Sequence, residues 1–153
     1  RKGGKRGRGT TKNKVVIAVS KSEDGKPQYV KMQVVADLKG KTIAKFVKNN
    51  IADGATVQTD AYHSYRKPLA EKHKHEYQVF DADSDMLKWL HIIVSNAKAF
   101  ISGTFHGLGK KHLQSYLDEY CYRFNRRDMG SIIFDRLLFA VTQSAPLRFA
   151  DLT

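Results

Sequence analysis

The sequence predicts an α/β domain. Three observations carry this reading: an apolar run at Val15–Val19 with an alternating stretch over Tyr29–Ala36, apolar residues at helical spacing from Ile43 to Ile51, and a β-prone run ending at Asp60. Taken in order they give strand, strand, helix, strand.

Val15-Val16-Ile17-Ala18-Val19 has no polar break, as expected of a strand covered on both faces. Glu23-Asp24-Gly25-Lys26-Pro27 is a turn, and beyond it Val30, Met32 and Val34 alternate with Lys31 and Gln33, so the pair reads as a β-hairpin. Ile43, Phe46, Val47 and Ile51 share one helical face, which Asp53-Gly54 is expected to close. Gly54 then turns the chain into the strand formed by Thr56, Val57 and Thr59. Arg66–Glu76, rich in Lys and His, reads as an exposed connection, with a last short strand over Tyr77–Phe80.

The second half is helical. Asp81, Asp83 and Asp85 place negative charge where a helix starts; they resemble a calcium loop only in their alternation, since its glycine and distal glutamate are absent. Met86–Ile101 carries two apolar stripes, Leu87, Leu90, Val94 and Ile101 on one, Trp89, Ile92, Ile93 and Phe100 on the other. A helix apolar on two sides is expected to be largely buried. Gly103 ends it, and Gly107 and Gly109 continue the loop. His112–Arg127 is amphipathic through Leu113, Tyr116, Leu117, Tyr120 and Phe124, and Ile132–Val141 is a further helix brought to an end by Pro146. The expected organisation is a basic flexible segment over 1–14, one domain over 15–127 and a helical extension over 128–153.

The chain has 153 residues, 41% of them hydrophobic, enough for one domain with its own core. Lys plus Arg number 27 against 15 Asp plus Glu; the resulting +12 calls for a polyanionic partner, of which nucleic acid is the simplest. No basic amphipathic helix with a wide apolar face and no run of membrane-spanning length is present, which argues against a membrane partner. No secretory leader is seen, and the single Cys121 cannot form an intrachain disulfide, so the cytoplasm is the expected location. Seven basic residues interleave with glycine before Val15, giving either a phosphate-binding arm or a solvated tail.

Asp60 is the first candidate site residue. An acid at the carboxyl end of a strand in an α/β protein sits where ligands and metals collect, and the alternative is a cap for the turn that follows. Asn96 falls on the second stripe of its helix, where an amide needs a partner, either a structural hydrogen bond or a metal or substrate. Lys110 and Lys111 precede the amphipathic helix and Arg123, Arg126 and Arg127 end it, placed to straddle a phosphate backbone or to form a solvated face. His106 and His112 flank the glycine loop and either touch phosphate or brace the turn. Tyr62 and Tyr65 are stacking candidates or ordinary half-buried aromatics. A zinc site from His73, His75, His106, His112 and Cys121 lacks any paired spacing, and Ser64 beside His63 makes no nucleophile elbow.

With Thr59-Asp60-Ala61-Tyr62, Trp89-Leu90-His91 through Asn96-Ala97-Lys98, Gly103-Thr104-Phe105-His106-Gly107, Lys111-His112-Leu113 and Tyr122 through Arg127 in this order, the chain resembles bacterial insertion-sequence transposases of the ISXO type. The resemblance runs from Gly3-Gly4 to about Arg127. It implies an RNase H-like fold, a mixed sheet flanked by helices as in retroviral integrases, and DNA cleavage and strand joining with two magnesium or manganese ions. Asp60 matches the second acid of the family's Asp, Asp, Glu or Asn triad, and Asn96 the third member. Lys98 falls where the family carries a basic residue that helps hold the DNA end. DNA and a homo-oligomer assembled on it are the implied partners. The first Asp belongs to a strand just upstream of the pair matching Gly3-Gly4; Asp37 is the nearest internal acid and does not match. The chain as it stands is therefore expected to be inactive, with an open sheet edge or gap beside Val15–Val19. The other reading is a basic nucleic-acid-binding module without catalysis.

Overall fold

The computed structural model of the chain describes residues 13–79, 85–105, 109–146, 148 and 150, with the backbone alone for Asp85 and Lys110. β1 (Lys14–Lys21) and β2 (Pro27–Val35) form the expected antiparallel hairpin, in register from Lys14 opposite Val35 to Val19 opposite Val30, with an irregularity between Val19 and Lys21. At its turn the Lys26 N–H donates to the Ser22 hydroxyl at 3.2 Å, and Gly25 takes φ 74°, a left-handed conformation that glycine adopts without strain. β3 (Thr56–Asp60) pairs in parallel with β4 (Lys74–Gln78), from Thr56 opposite Lys74 to Asp60 opposite Gln78. The described strands thus form two two-stranded sheets.

Helices cover both. α3 (Lys88–Phe105) and α4 (Leu113–Asn125) pack on the hairpin, where Val30, Met32, Ile93, Ala97, Leu117 and Cys121 form one buried cluster edged by Val15, Ile17 and Val19. Val16 points to the other face and is also buried, so β1 is covered on both sides as its unbroken run predicts. α1 (Gly40–Asn50) and α2 (Arg66–Ala70) build a second cluster of Ile43, Val47 and Leu69, against which Val57 of β3 packs. Ile43, Leu69, Met32 and Ile93 are each 1% exposed, and burial of such a side chain contributes about 1.5–3 kcal/mol. α5 (Ile132–Gln143) follows a turn at Gly130 and ends before Pro146 as expected.

Five expectations are corrected. α3 runs on through Gly103 to Phe105, although a glycine there is expected to end it, because Gly103 sits in the helix with its ordinary backbone bonds. α1 stops at Asn50, where Ile51 turns extended and donates its N–H to the Val47 carbonyl at 2.9 Å; Gly54, at φ 83°, serves the turn into β3. The Lys- and His-rich stretch after Arg66 is not only an exposed connection, because it holds α2 with the buried Leu69. β4 begins at Lys74, earlier than its apolar residues suggest, since backbone pairing with β3 and a bond from the Lys74 N–H to the Ala55 carbonyl at 3.1 Å extend it. In α3 the buried stripe is Ile93 and Ala97, and it runs between the two expected stripes. Trp89, Ile92 and Asn96 are exposed, so the amide of Asn96 does not point into the core. The acids Asp81 and Asp83 lie outside the described residues, and only a 3-10 turn at Asp85–Leu87 is seen before α3.

Candidate active site

Asp60 ends β3, half-buried, and the chain turns at once. Its Oδ1 accepts the Tyr62 N–H at 3.3 Å, while the Thr59 hydroxyl donates to the Asp60 carbonyl at 2.8 Å. With that hydroxyl proton committed, His75 on β4 donates from Nε2 to Thr59 Oγ1 across 2.7 Å. Burial, with Arg66 nearby, holds the His75 imidazole below its ordinary value and so favours the neutral ring. The turn-capping role considered for Asp60 is thus present in the fold. It leaves a carboxylate on the wall of a large groove.

That groove separates the two sheets. Its volume is about 1120 Å³, and its walls are Val16–Lys21 of β1, Ala55 and Thr56–Asp60 of β3, Ile43, Phe46 and Val47 of α1, and Trp89, Leu90 and His91 of α3. Across it Lys21 Nζ donates to Gln58 Oε1 at 2.6 Å. Among the described lining residues Asp60 is the single acid. β1 pairs with β2 alone and β3 with β4 alone among the described strands, so each turns its other backbone edge away from its partner.

The ISXO2-like transposase domain family matches residues 1–125, most of the chain, including the groove and α4. The chain belongs to this family. No curated protein and no solved structure matches it.

Within this transposase domain the structure brings some of the expected residues together and not others. Asp60 shares the groove with Trp89 and His91, while Asn96, further along α3 and exposed, is not among the described lining residues. Lys98 and Lys111 are exposed. His106 and the side chain of Lys110 lie outside the described residues. Each of the three arginines is engaged with the fold: Arg123 binds Glu119 at 2.7 Å, Arg126 lies 3.8 Å over the Tyr122 ring, and Arg127 donates to the Pro27 carbonyl at 2.6 Å and the Gln28 carbonyl at 3.1 Å. Asp37 has a structural task, accepting the Lys39 N–H and the Thr42 hydroxyl at the start of α1, and the hydroxyl above all holds its carboxyl below the usual carboxylate range.

Sequence reasoning missed the polar clamp that positions α4. Gln114 and Asn125 bind the backbone of β2 from the two ends of the stripe that buries Leu117 and Cys121. The signal was available: both amides fall on that stripe at i, i+3, i+7 and i+11, where polar side chains must find partners.

Asp60 offers the charged oxygen that hard divalent cations prefer, and Asn96 a neutral one. Among the described residues no three His, Cys, Asp or Glu converge as a metal cluster. The described residues therefore fit only a part of a two-metal site. Among them no helix is long and apolar enough to cross a membrane.

Proposed function

We propose that this transposase domain serves metal-dependent cleavage and joining of DNA strands, with Asp60 as its anionic metal ligand and Asn96 as a neutral oxygen donor. The observation that carries the reading is the position of Asp60, at the carboxyl end of β3 on the wall of a groove between two sheet edges. A strand lying in that groove and bonded to β1 and β3 would join the two pairs into one mixed, RNase H-like sheet. Such a strand is also the natural carrier of a further carboxylate beside Asp60. Two divalent ions, when bound, activate the attacking oxygen and stabilise the leaving one in an in-line displacement. The chain's own contribution is to hold the Asp60 carboxylate at a fixed turn and to draw the DNA backbone with a charge of +12, Lys98 and Lys111 being exposed for contact. We assign magnesium or manganese as cofactor, transposon and target DNA as partners, and a homo-oligomer on DNA as the working form.

The test compares the chain with a form extended upstream of Arg1 to include the expected first Asp, assayed for magnesium- or manganese-dependent nicking and strand joining. Asp60→Asn keeps an acceptor for the Tyr62 N–H and removes the charge, so it separates the turn role from the metal role. Activity in the extended form that is abolished by Asp60→Asn and weakened by Asn96→Ala supports the proposal. Activity indifferent to Asp60→Asn overturns it. Inactivity of every form with intact, salt-sensitive DNA binding leaves the non-catalytic binding module, which the net charge favours.

A further inference from the structure

The groove that holds Asp60 has apolar walls and few side chains able to ligate a metal. Of the Asp, Glu, His and Cys types, its described lining residues include Asp60 and His91 alone. The two come from elements that meet. The 3-10 turn Asp85–Leu87 packs against β3, which Asp60 ends. Leu87, itself in the groove wall, precedes His91 at i and i+4, so the two side chains lie on one side of the helical run. His91 is exposed, and its ring has room to turn toward a ligand in the groove. Asn96 follows His91 by five residues, which rotates it about 140° around α3, so the two side chains do not converge on one ion. Lys98 follows by seven residues and returns to the His91 face two turns away, where it is exposed. The face of α3 that brings His91 to the groove thus also carries a cation placed for a DNA phosphate.

We infer that His91 is a further metal donor of this site, binding through an imidazole nitrogen the divalent ion that Asp60 holds. The inference rests on the metal reading of Asp60 proposed above, not on that of Asn96, and adds a nitrogen to the oxygen of the carboxylate. Two protein donors leave the other coordination positions to water and to phosphate oxygens of DNA, in keeping with the absence of three converging His, Cys, Asp or Glu among the described residues. Nitrogen also changes which ion the site prefers. Magnesium is a hard ion that takes oxygen donors, whereas imidazole suits the transition metals, whose affinity for a given site rises from manganese through iron to cobalt and nickel. With His91 as donor the site therefore favours Mn2+ over Mg2+.

Titration of the full chain with Mn2+ up to millimolar concentration tests it without an activity assay. In NMR spectra the paramagnetic ion is expected to broaden the Asp60 backbone and the His91 ring together. Electron paramagnetic resonance of free Mn2+ gives the affinity. It is expected to vanish in Asp60→Asn and to fall at least about tenfold in His91→Ala, since even groups that merely orient a metal ligand reach that scale. His91→Glu puts an oxygen donor in place of the nitrogen, and is expected to keep the site while letting Mg2+ displace Mn2+ more readily than in the parent chain. Loss of packing alone would not exchange one ion preference for another. A site that is lost in Asp60→Asn but keeps its affinity and its preference in both His91 variants overturns this inference and leaves the metal reading of Asp60 standing. Broadening that reaches Asp60 but not the His91 ring does the same. Absence of Mn2+ binding at Asp60 overturns both.

Discussion

The amide of Asn125 grips Val30 at both backbone positions. Its Oδ1 accepts the Val30 N–H at 2.7 Å and its Nδ2 donates to the Val30 carbonyl at 3.0 Å. Three turns earlier on α4, Gln114 accepts the Val34 N–H at 2.7 Å and donates to the Met32 carbonyl at 3.1 Å. The Met32 backbone also hydrogen-bonds the Cys121 thiol, whose titration is pushed up chiefly by burial. Val30, Met32 and Val34 are alternate residues of β2, so one helix satisfies the edge of the hairpin that faces away from β1.

Asn125→Ala leaves the Val30 N–H and carbonyl unpaired beneath α4. An unsatisfied buried backbone group costs about 1–3 kcal/mol, and water reaches this half-buried position in part, so a loss of about 2–3 kcal/mol is expected. Urea unfolding should show a lower midpoint with an unchanged slope.

Arg127 separates structural from nucleic-acid roles. Arg127→Lys keeps the charge but loses the fork that bonds the Pro27 and Gln28 carbonyls, so it should lower stability by about 1 kcal/mol and leave the salt dependence of DNA binding unchanged. Lys98→Ala should do the reverse, reducing the slope of log K against log salt by about one while stability holds. Titration of DNA at several salt concentrations reads both.

Neighbouring isoleucines of α3 should respond very differently to truncation. Ile93 is 1% exposed within the first cluster and Ile92 is 38% exposed. Ile93→Ala should cost about 3 kcal/mol and Ile92→Ala less than about 1 kcal/mol, measured by thermal or urea unfolding. Equal costs would mean that α3 faces the hairpin in another rotation, and would reopen the placement of Asn96.

Stability should fall on the acid side of neutrality through His75. Its pKa in the fold lies below the ordinary 6.5, chiefly because of burial. Above pH 6.5 neither folded nor unfolded chain binds the proton, so stability is full. Below it the unfolded chain takes up a proton that the fold resists, and stability declines until the folded imidazole is protonated as well. Melting temperatures above and below pH 6.5 should show this decline, and His75→Gln should flatten it.

The hairpin and α1 were legible because their signals are local: an unbroken apolar run, strict alternation, a turn glycine, and a helical face at Ile43, Phe46 and Val47. β4 was legible only in part, since Lys74-His75-Glu76 is a strand by virtue of parallel pairing with β3, a contact between segments far apart in the chain. The rotation of α3 was hidden because apolar residues lie on two sides of it, and only packing against β1 and β2 selects Ile93 and Ala97 for burial. The place of Asp60 at the end of a strand was legible from the β-prone run before it. The bond from His75 to the neighbouring Thr59 and the groove that Asp60 shares with His91 depend on tertiary placement that no short motif encodes.

The sealed flank of β2 also bears on how this chain avoids sticking to itself. An uncovered, Val-rich strand edge is a template on which other chains add, the first step toward insoluble fibrils. By occupying that edge with Gln114, Cys121 and Asn125, α4 acts as a plug against such growth. A variant in which α4 detaches should precipitate through β2 even while the hairpin itself stays formed.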